Sequence, residues 1–566
     1  MNNEPSRTRA QESRAAIERI YIAMRHLFIR GSYKPMGMSG EALRSSLITL
    51  SPEIYGSIAD SEKVELNGLL YVMERLPKGI EECRNIRLIS REGLESSNFK
   101  AIIPPKRVRN CYRVDEEQML IEMTRGRSDI YDILTHLTFV YNEAEKIRKN
   151  SLDYEGRLKR DWKRLEEIVK KEENKKKFNF DQANTYLSIL LGRTYREVHE
   201  AGKKFAKKKE TLHSLFHIIY WMGKLAIEEY TRKIDREITF SSILRQRVGH
   251  HKYGELWASE IKKALYEKGL MDRPIHIISA NPHSVMNSIY AIPALKKAIK
   301  KSKIEEVALI LSKDKTGNLQ TKVLRFAERH GLDQLDDTSG TNLTVQIIDT
   351  EKIPFSAISK SIQVDLNYIK SLRPVLVVMD YAFGEQAFET MDELLKPFEF
   401  KGELLPLNIK SVSVMGKAGI LEGRKGDIMI PTAHVFEGTA DNYPFNNDFD
   451  TSEFSGYGLD VVQGPMVTVL GTSLQNRQIL RYFQKSSWNA VGLEMEGAHY
   501  QKAIQSAALI RKSIDADVKV RYAYYASDNP LETGGTLASG SLGVEGVRPA
   551  YLITVRILNK VLQRDA

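Results

Sequence analysis

Two carboxylates one residue apart, Glu494 and Glu496, stand in the stretch Val491-Gly492-Leu493-Glu494-Met495-Glu496-Gly497-Ala498. In extended backbone, residues two apart project to the same side. A carboxylate accepts two hydrogen bonds and therefore suits a vicinal diol, such as the 2′- and 3′-hydroxyls of a ribose. The thioether of Met495 would supply apolar contact beside it. The same residues also fit an acidic helix start, where carboxylates interact favourably with the dipole. Further on, Arg521-Tyr522-Ala523-Tyr524-Tyr525-Ala526-Ser527-Asp528-Asn529-Pro530 reads as a strand ending in Ser-Asp before a proline turn. Asp528 can serve as a general acid if a site closed from water raises its pKa. An Asx turn that ends the strand fits equally well.

Two glycine-bearing junctions accompany these carboxylates. Residues 411–438 read SVSVMGKAGILEGRKGDIMIPTAHVFEG, where Gly416 and Gly419 allow close backbone approach to a ligand. Lys417 between them can act as a point charge for a phosphate, and His434 follows a strand end. Met379-Asp380-Tyr381-Ala382-Phe383-Gly384-Glu385-Gln386-Ala387 is a strand-to-helix junction whose N–H groups can receive an anion. Glu385 opens its helix, so a capping role suits it as well as a chemical one.

These junctions need a scaffold. From Pro274 onward, β-rich runs alternate with helical segments: 275–279, 307–311, 343–348, 375–379, 412–415, 428–430, 467–470 and 518–526. Helices fit at 384–395, 475–483 and 497–510. That alternation predicts an α/β domain with a mixed or largely parallel sheet, whose ligands sit beyond the carboxyl ends of the strands. Residues 1–270 read as a mainly α-helical, basic domain. Ile17, Ile20, Tyr21, Met24, Leu27 and Phe28 recur at helical spacing and Gly31 ends the pattern. Ser128 and Asp129 can cap a second helix. The charged stretch within 146–210 reads as a hinge or a long exposed helix. With 566 residues, more than one core is expected, and the boundaries fall at 1–270 and 271–566.

The net charge of +11 divides unevenly, roughly +12 over residues 1–270 and about −1 over the rest. Lys175, Lys176 and Lys177 and the run from Lys203 to Lys209 are its densest points. No interleaved aromatic signature accompanies them, so they read as solvated helix faces and nucleic acid is not an expected partner. Two cysteines, Cys83 and Cys111, exclude a disulfide scaffold and fit a reducing compartment. There is no apolar run long enough for a membrane span and no signal-peptide core, so the cytoplasm is expected. Leu215 to Met222 reads as a buried helix. His213 and His217 stand at i, i+4 and His250 and His251 are adjacent, but no third ligand is apparent in the sequence. Neither a metal nor a cofactor is therefore expected.

In combination, MGKAGIL followed by KGDIMI, GPMVTVLGTS, VGLEMEGAHYQKA and RYAYYASDNP resembles the purine nucleoside phosphorylase superfamily over about Pro274 to Leu562. DYAFGEQA, MGKAGIL, KGDIMIPTAHVFE and SDNPLETGGTL are most similar to AMP nucleosidase. The resemblance implies a three-layer α/β domain with a mixed sheet and cleavage of the N-glycosidic bond of a purine nucleoside or nucleotide. It further implies that Glu496 binds the ribose hydroxyls, Met495 packs on the sugar, and Asp528, beside Ser527, protonates the base. Gly384, Gly416, Lys417 and Gly419 would line the ribose and phosphate side, with Asn281 and His283 near it and His434 facing the pocket. Homo-oligomers are usual in that superfamily. Its phosphorylases carry an arginine before the glycine loop, where this sequence has Val414, so hydrolysis is expected over phosphorolysis. No acidic residue lies between Ile275 and Ile292 to activate water, which leaves Glu385 as the candidate base. A module that senses nucleotides without turnover is the alternative. The glycine-rich loop Thr533 to Gly546 is a candidate lid.

Overall fold

The computed structural model describes residues 8–299, 303–532 and 542–564. The chain divides into two compact units. One comprises Met1–Thr124, Asp129–His250 and Ser473–Ile479; the other comprises Arg125–Ser128, His251–Thr472 and Leu480–Ala566.

The first unit is mainly helical. Helix Arg9–Arg30 opens on a Thr8 capping box and closes at Gly31 with φ 90°, burying Ile17, Ile20, Met24, Leu27 and Phe28 on one face. The stretch 146–210 is neither a hinge nor one long helix. It contains the end of helix Gly126–Ser151, then Arg160–Glu173, Phe180–Leu191 and Tyr195–Ala206. The physical reason is amphipathicity: Trp162, Leu165, Ile168 and Val169 are buried while the lysines face out. Lys175 to Lys177 and Lys203, Lys204 and Lys207 to Lys209 are exposed. Leu215–Arg232 is a buried helix capped by Ser214. The sequence reading did not anticipate the unit's five-stranded sheet, in the order Ser32–Tyr33, Glu237–Phe240, Asn85–Ile89, Gln118–Glu122, Cys111–Arg113. Cys83 and Cys111 are buried free thiols.

The second unit is an α/β domain built on a ten-stranded mixed sheet. Its central strand, Ile409–Ile420, runs parallel to Ile275–Ser279 on one side and to Lys519–Asp528 on the other. Strand Val375–Met379 continues the sheet beyond Ile275–Ser279. On the opposite flank, Ile428–Phe436, Val461–Thr468, Gly492–Glu494, Ile409–Ile420 and Lys519–Asp528 pair in succession and close into a ring. Helices cover both faces, so the unit has three layers. Trp257, Ile261 and Leu265, Ala387 and Met391, and Tyr500 and Ala503 pack one face. Helices Pro282–Leu295, Ile304–Lys313 and Val547–Val561 supply the other. Two expectations are corrected. The run 307–311 is helical, because Ile304, Val307, Ala308 and Leu311 share one buried face. Ser128 and Asp129 do not stand at the cap of their own helix, which already begins at Gly126. Helix Lys252–Glu267 precedes Pro274 in sequence yet contributes Trp257 to this unit's core.

Among the described residues, no helix is long and apolar enough to cross a membrane.

Candidate active site

The motifs converge on the end of the central strand. Gly419 is the register partner of Asp528 on one side and of Leu493 on the other. Neighbouring strands lie about 4.8 Å apart, so Asp528 and the Glu494–Glu496 turn flank the same glycine. A register shift between Ala418 and Gly419 re-aims the backbone where the two meet.

Glu494 and Glu496 have separate tasks. Both are buried. Glu494 ties down the start of helix Gly497–Gln505: its Oε2 accepts the N–H groups of Glu496 (2.5 Å) and Gly497, and its Oε1 accepts the Thr468 hydroxyl (2.5 Å). Burial opposes its charge, but His434, Thr468 and the Gly497 N–H hold its pKa below the ordinary value. The acidic helix start is thus satisfied by Glu494, and the Glu496 carboxyl turns away. Its Oε1 accepts the Gly384 N–H at 2.9 Å. Burial, then the neighbouring Glu494 charge, pushes the Glu496 pKa up to about 8 against the Gly384 and Met495 N–H groups and Tyr381. Met495 is buried beside it, its Cε 3.9 Å from where a Cβ on Gly384 would stand.

Loop 380–385 is held from three directions. Tyr500 accepts the Ala382 N–H through its hydroxyl (3.1 Å) and meets Ser279 Oγ at 2.7 Å. The Tyr381 ring lies against Gly416, where a Cβ would approach it to 2.8 Å. Gly384 has φ +55°, and a Cβ there would lie 2.4 Å from Ser128 Oγ. That contact belongs to a contribution the sequence reading missed, the segment Arg125–Ser128. Ser128 Oγ accepts the Glu385 N–H (2.8 Å), Arg127 pairs with the Glu385 carboxylate (3.0 Å), and Arg125 lies 4.7 Å over the Phe383 ring. Only the Arg-Gly-Arg spacing before a helix hinted at it. Glu385 therefore presents its carboxylate to Arg127, in a group with His251 and Glu389. Glu389 is raised well above the ordinary value by burial and by Glu385, against Arg127. Asp380, at the carboxyl end of its strand, is raised by burial against the Tyr381 N–H, Arg125 and His283.

Asp528 is 1% exposed. Ser527 Oγ lies 2.7 Å from its Oδ1 and 3.1 Å from the Ala418 carbonyl, so the Ser-Asp pair spans the gap to the central strand. The remaining expected residues are placed differently from one another. Asn281 caps helix Pro282–Leu295 by accepting the His283 N–H (2.9 Å), and the His283 ring meets Gln320. Lys417 is exposed and, by strand alternation, on the face opposite Gly416 and the Tyr381 ring. His434 is fully buried, stacked on Phe445, edge-on to Tyr522 and pressed against Gly497, with Nδ1 3.5 Å from Glu494. It supports the Glu494 anchor from beneath. Of the expected lid, residues 533–541 lie outside the described residues; Gly543–Gly546 forms a short 3-10 turn. A separate cavity of about 710 Å³, lined by Lys303, Lys360, Tyr457 and Arg548 among others, includes none of these residues.

A family model described as "Family of unknown function (DUF6909)" matches residues 41–300 and 308–563. No curated protein matches the chain. Among solved structures, the chain is similar to 5′-methylthioadenosine/S-adenosyl homocysteine nucleosidase from Campylobacter jejuni, with 12% identity, 51% of this chain and 98% of that one covered, and TM-score 0.28. It is also similar to futalosine hydrolase from Helicobacter pylori, with 10% identity, 50% and 97% covered, and TM-score 0.30. A third is uridine phosphorylase from Schistosoma mansoni in complex with thymidine, with 14% identity, 52% and 89% covered, and TM-score 0.30.

Proposed function

We propose that this chain, which belongs to the family of unknown function DUF6909, hydrolyses the N-glycosidic bond of a purine nucleoside or nucleotide. The observation that carries the reading is the division of labour between two adjacent carboxylates. Glu494 is consumed as a structural anchor, while Glu496 is buried on the Gly384 N–H with a raised pKa, near the strand end where Asp528 also arrives. Perturbed carboxyls of this kind are costly to keep and cluster at functional sites. The motif resemblance of the same segments to the nucleoside phosphorylase superfamily adds to this.

In this reading Glu496 holds the ribose hydroxyls, and its negative charge favours the positive charge that develops on the sugar as the bond to the base breaks. Met495 packs on the sugar. Asp528, steadied by Ser527, donates a proton to the departing base, which leaves neutral. Water adds to the anomeric carbon and loses its proton to a carboxylate of the 380–385 loop. Glu385 is the candidate from its place in the sequence, and its pairing with Arg127 would orient it. Asp380, raised by burial, is the competitor. Gly419, at the strand end between Asp528 and Leu493, allows backbone to approach the ligand, and Asn281 and His283 are the first positions to test for a 5′-phosphate.

The test is chromatographic detection of free base after incubating the full chain with AMP, adenosine, methylthioadenosine, IMP, GMP and ATP, with and without inorganic phosphate. Base release without phosphate is expected. Release only with phosphate would make the chain a phosphorylase. Saturable binding with no release from any substrate would identify a nucleotide sensor.

A further inference from the structure

The first unit brings together two local pairs of groups, Glu81 with Glu82 and His213 with His217, that lie far from each other in sequence. Glu81 and Glu82 end the short turn Ile80–Glu82; His213 precedes the Ser214 cap of helix Leu215–Arg232, and His217 lies in its first turn. His213 Nδ1 is 2.7 Å from Glu81 Oε1 and 3.5 Å from Glu82 Oε1, and His217 Nε2 is 2.7 Å from Glu82 Oε1. One ligand atom from each residue lies within 4.8 Å of all the others. In a tetrahedral zinc site with bonds of about 2.0–2.1 Å, neighbouring ligand atoms stand about 3.3 Å apart. The four atoms need only a small adjustment to surround an ion.

Hydrogen bonding alone leaves this cluster unfinished. Glu81 is 3% exposed, and its Oε2 is buried without a hydrogen-bond partner. Two successive carboxylates with an orphaned oxygen are costly away from water. A dication would neutralise both and use the imidazoles in their neutral form. The surroundings also suit a held ligand set. Arg113 Nη1 pairs with the other Glu82 oxygen at 2.5 Å, Glu173 faces the far ring nitrogen of His217 at 3.8 Å, and Ser214 Oγ accepts the His217 backbone N–H at 3.2 Å, which fixes the helix start. Of these, Glu173 beside Nδ1 favours His217 Nε2 as the nitrogen that faces the ion.

We propose that Glu81, Glu82, His213 and His217 bind one divalent transition-metal ion of zinc's kind, as a closed structural site that pins the start of helix Leu215–Arg232 to the Ile80–Glu82 turn. Four protein ligands with no open position mark a structural rather than a catalytic zinc. The site is independent of the carboxylates proposed for glycosidic cleavage.

The full chain, purified with zinc and dialysed against metal-free buffer, should retain about one zinc per chain by mass spectrometry of the metal, as expected of a structural site. Zinc-edge X-ray absorption should show two imidazoles among nitrogen and oxygen ligands, with no sulfur. His213→Gln together with His217→Gln keeps hydrogen-bonding groups beside the glutamates but removes the imidazoles, and should lower zinc affinity by at least about tenfold. His251→Ala, in the separate group with Glu385 and Glu389, should leave zinc content unchanged. A wild-type chain that takes up no zinc, or a double variant that binds it as tightly, overturns the proposal. If the double variant does not fold, an absorption edge lacking two imidazoles overturns it instead.

Discussion

Replacing Glu496 by glutamine tests whether its carboxyl is held neutral in the free protein. The folded chain titrates this group at about 8 rather than 4.5, with burial the largest cause and Glu494 the next. Between those two values the folded state keeps a proton that the unfolded chain has released, so stability falls as pH rises through that window. At 1.36 kcal/mol per pH unit, a rise from 4.5 to about 8 corresponds to a ceiling of about 5 kcal/mol. Relaxation of the site toward the charge lowers that, and about 2–5 kcal/mol is expected. Glu496→Gln keeps the shape, and its amide oxygen can still accept the Gly384 N–H, but it does not titrate. The wild type should therefore lose stability relative to the variant between pH 5 and 8.5. Because the two units need not unfold together, hydrogen exchange read from peptides covering 411–420 and 519–528 isolates the relevant one. An unchanged difference between wild type and variant across that range would show Glu496 ionised throughout and refute the reasoning.

The same proton has a kinetic counterpart: with a ribosyl substrate, kcat/KM should rise with pH toward about 8, because the carboxylate is the better diol acceptor. Asp528→Asn should lower turnover by about two to four orders of magnitude with the fold intact; near-normal turnover, measured by base release, removes it from the mechanism. Glu385→Gln and Asp380→Asn, assayed side by side, should separate the water-activating carboxylate from its neighbour, with only one of them losing rate at unchanged KM. Gly384→Ala faces both φ +55° and the approach of Ser128 Oγ to 2.4 Å. It should cost about 1–3 kcal/mol, and Ser128→Gly should restore only the part due to the clash, as thermal unfolding of the double variant would show.

What could be read from the sequence follows from how far apart the cooperating residues lie. Strands 275–279 and 375–379 stand out as short, buried, β-rich runs bounded by proline, serine and aspartate. The helix at 304–313 misleads because Val-Ala-Leu-Ile-Leu also spells a strand core, and only the spacing of Ile304 with Leu311 reveals its face. The first unit's strands span two to five residues, too few to show a period. In the candidate site, Glu496 and Asp528 stand out in the sequence because their motifs are local. The separation of Glu494 from Glu496 does not, since it depends on a chain that turns from strand to helix between them.

The least legible parts are those joined across more than a hundred residues: Arg127 with Glu385, Ser128 with Gly384, and Glu81 and Glu82 with His213 and His217. No local pattern pairs residue 127 with residue 385, yet that pairing sets how the Glu385 carboxylate is held. In the proposed reading the strand-end motifs carry the glycosidic chemistry. The Arg125–Ser128 segment, outside the span of the superfamily resemblance, sets the conformation and charge of the loop on which that chemistry depends. Differences in activity between this chain and the proteins its motifs resemble should therefore trace first to Arg125, Arg127 and Ser128. Exchanging these, rather than the conspicuous Lys417, is the way to alter what the site accepts.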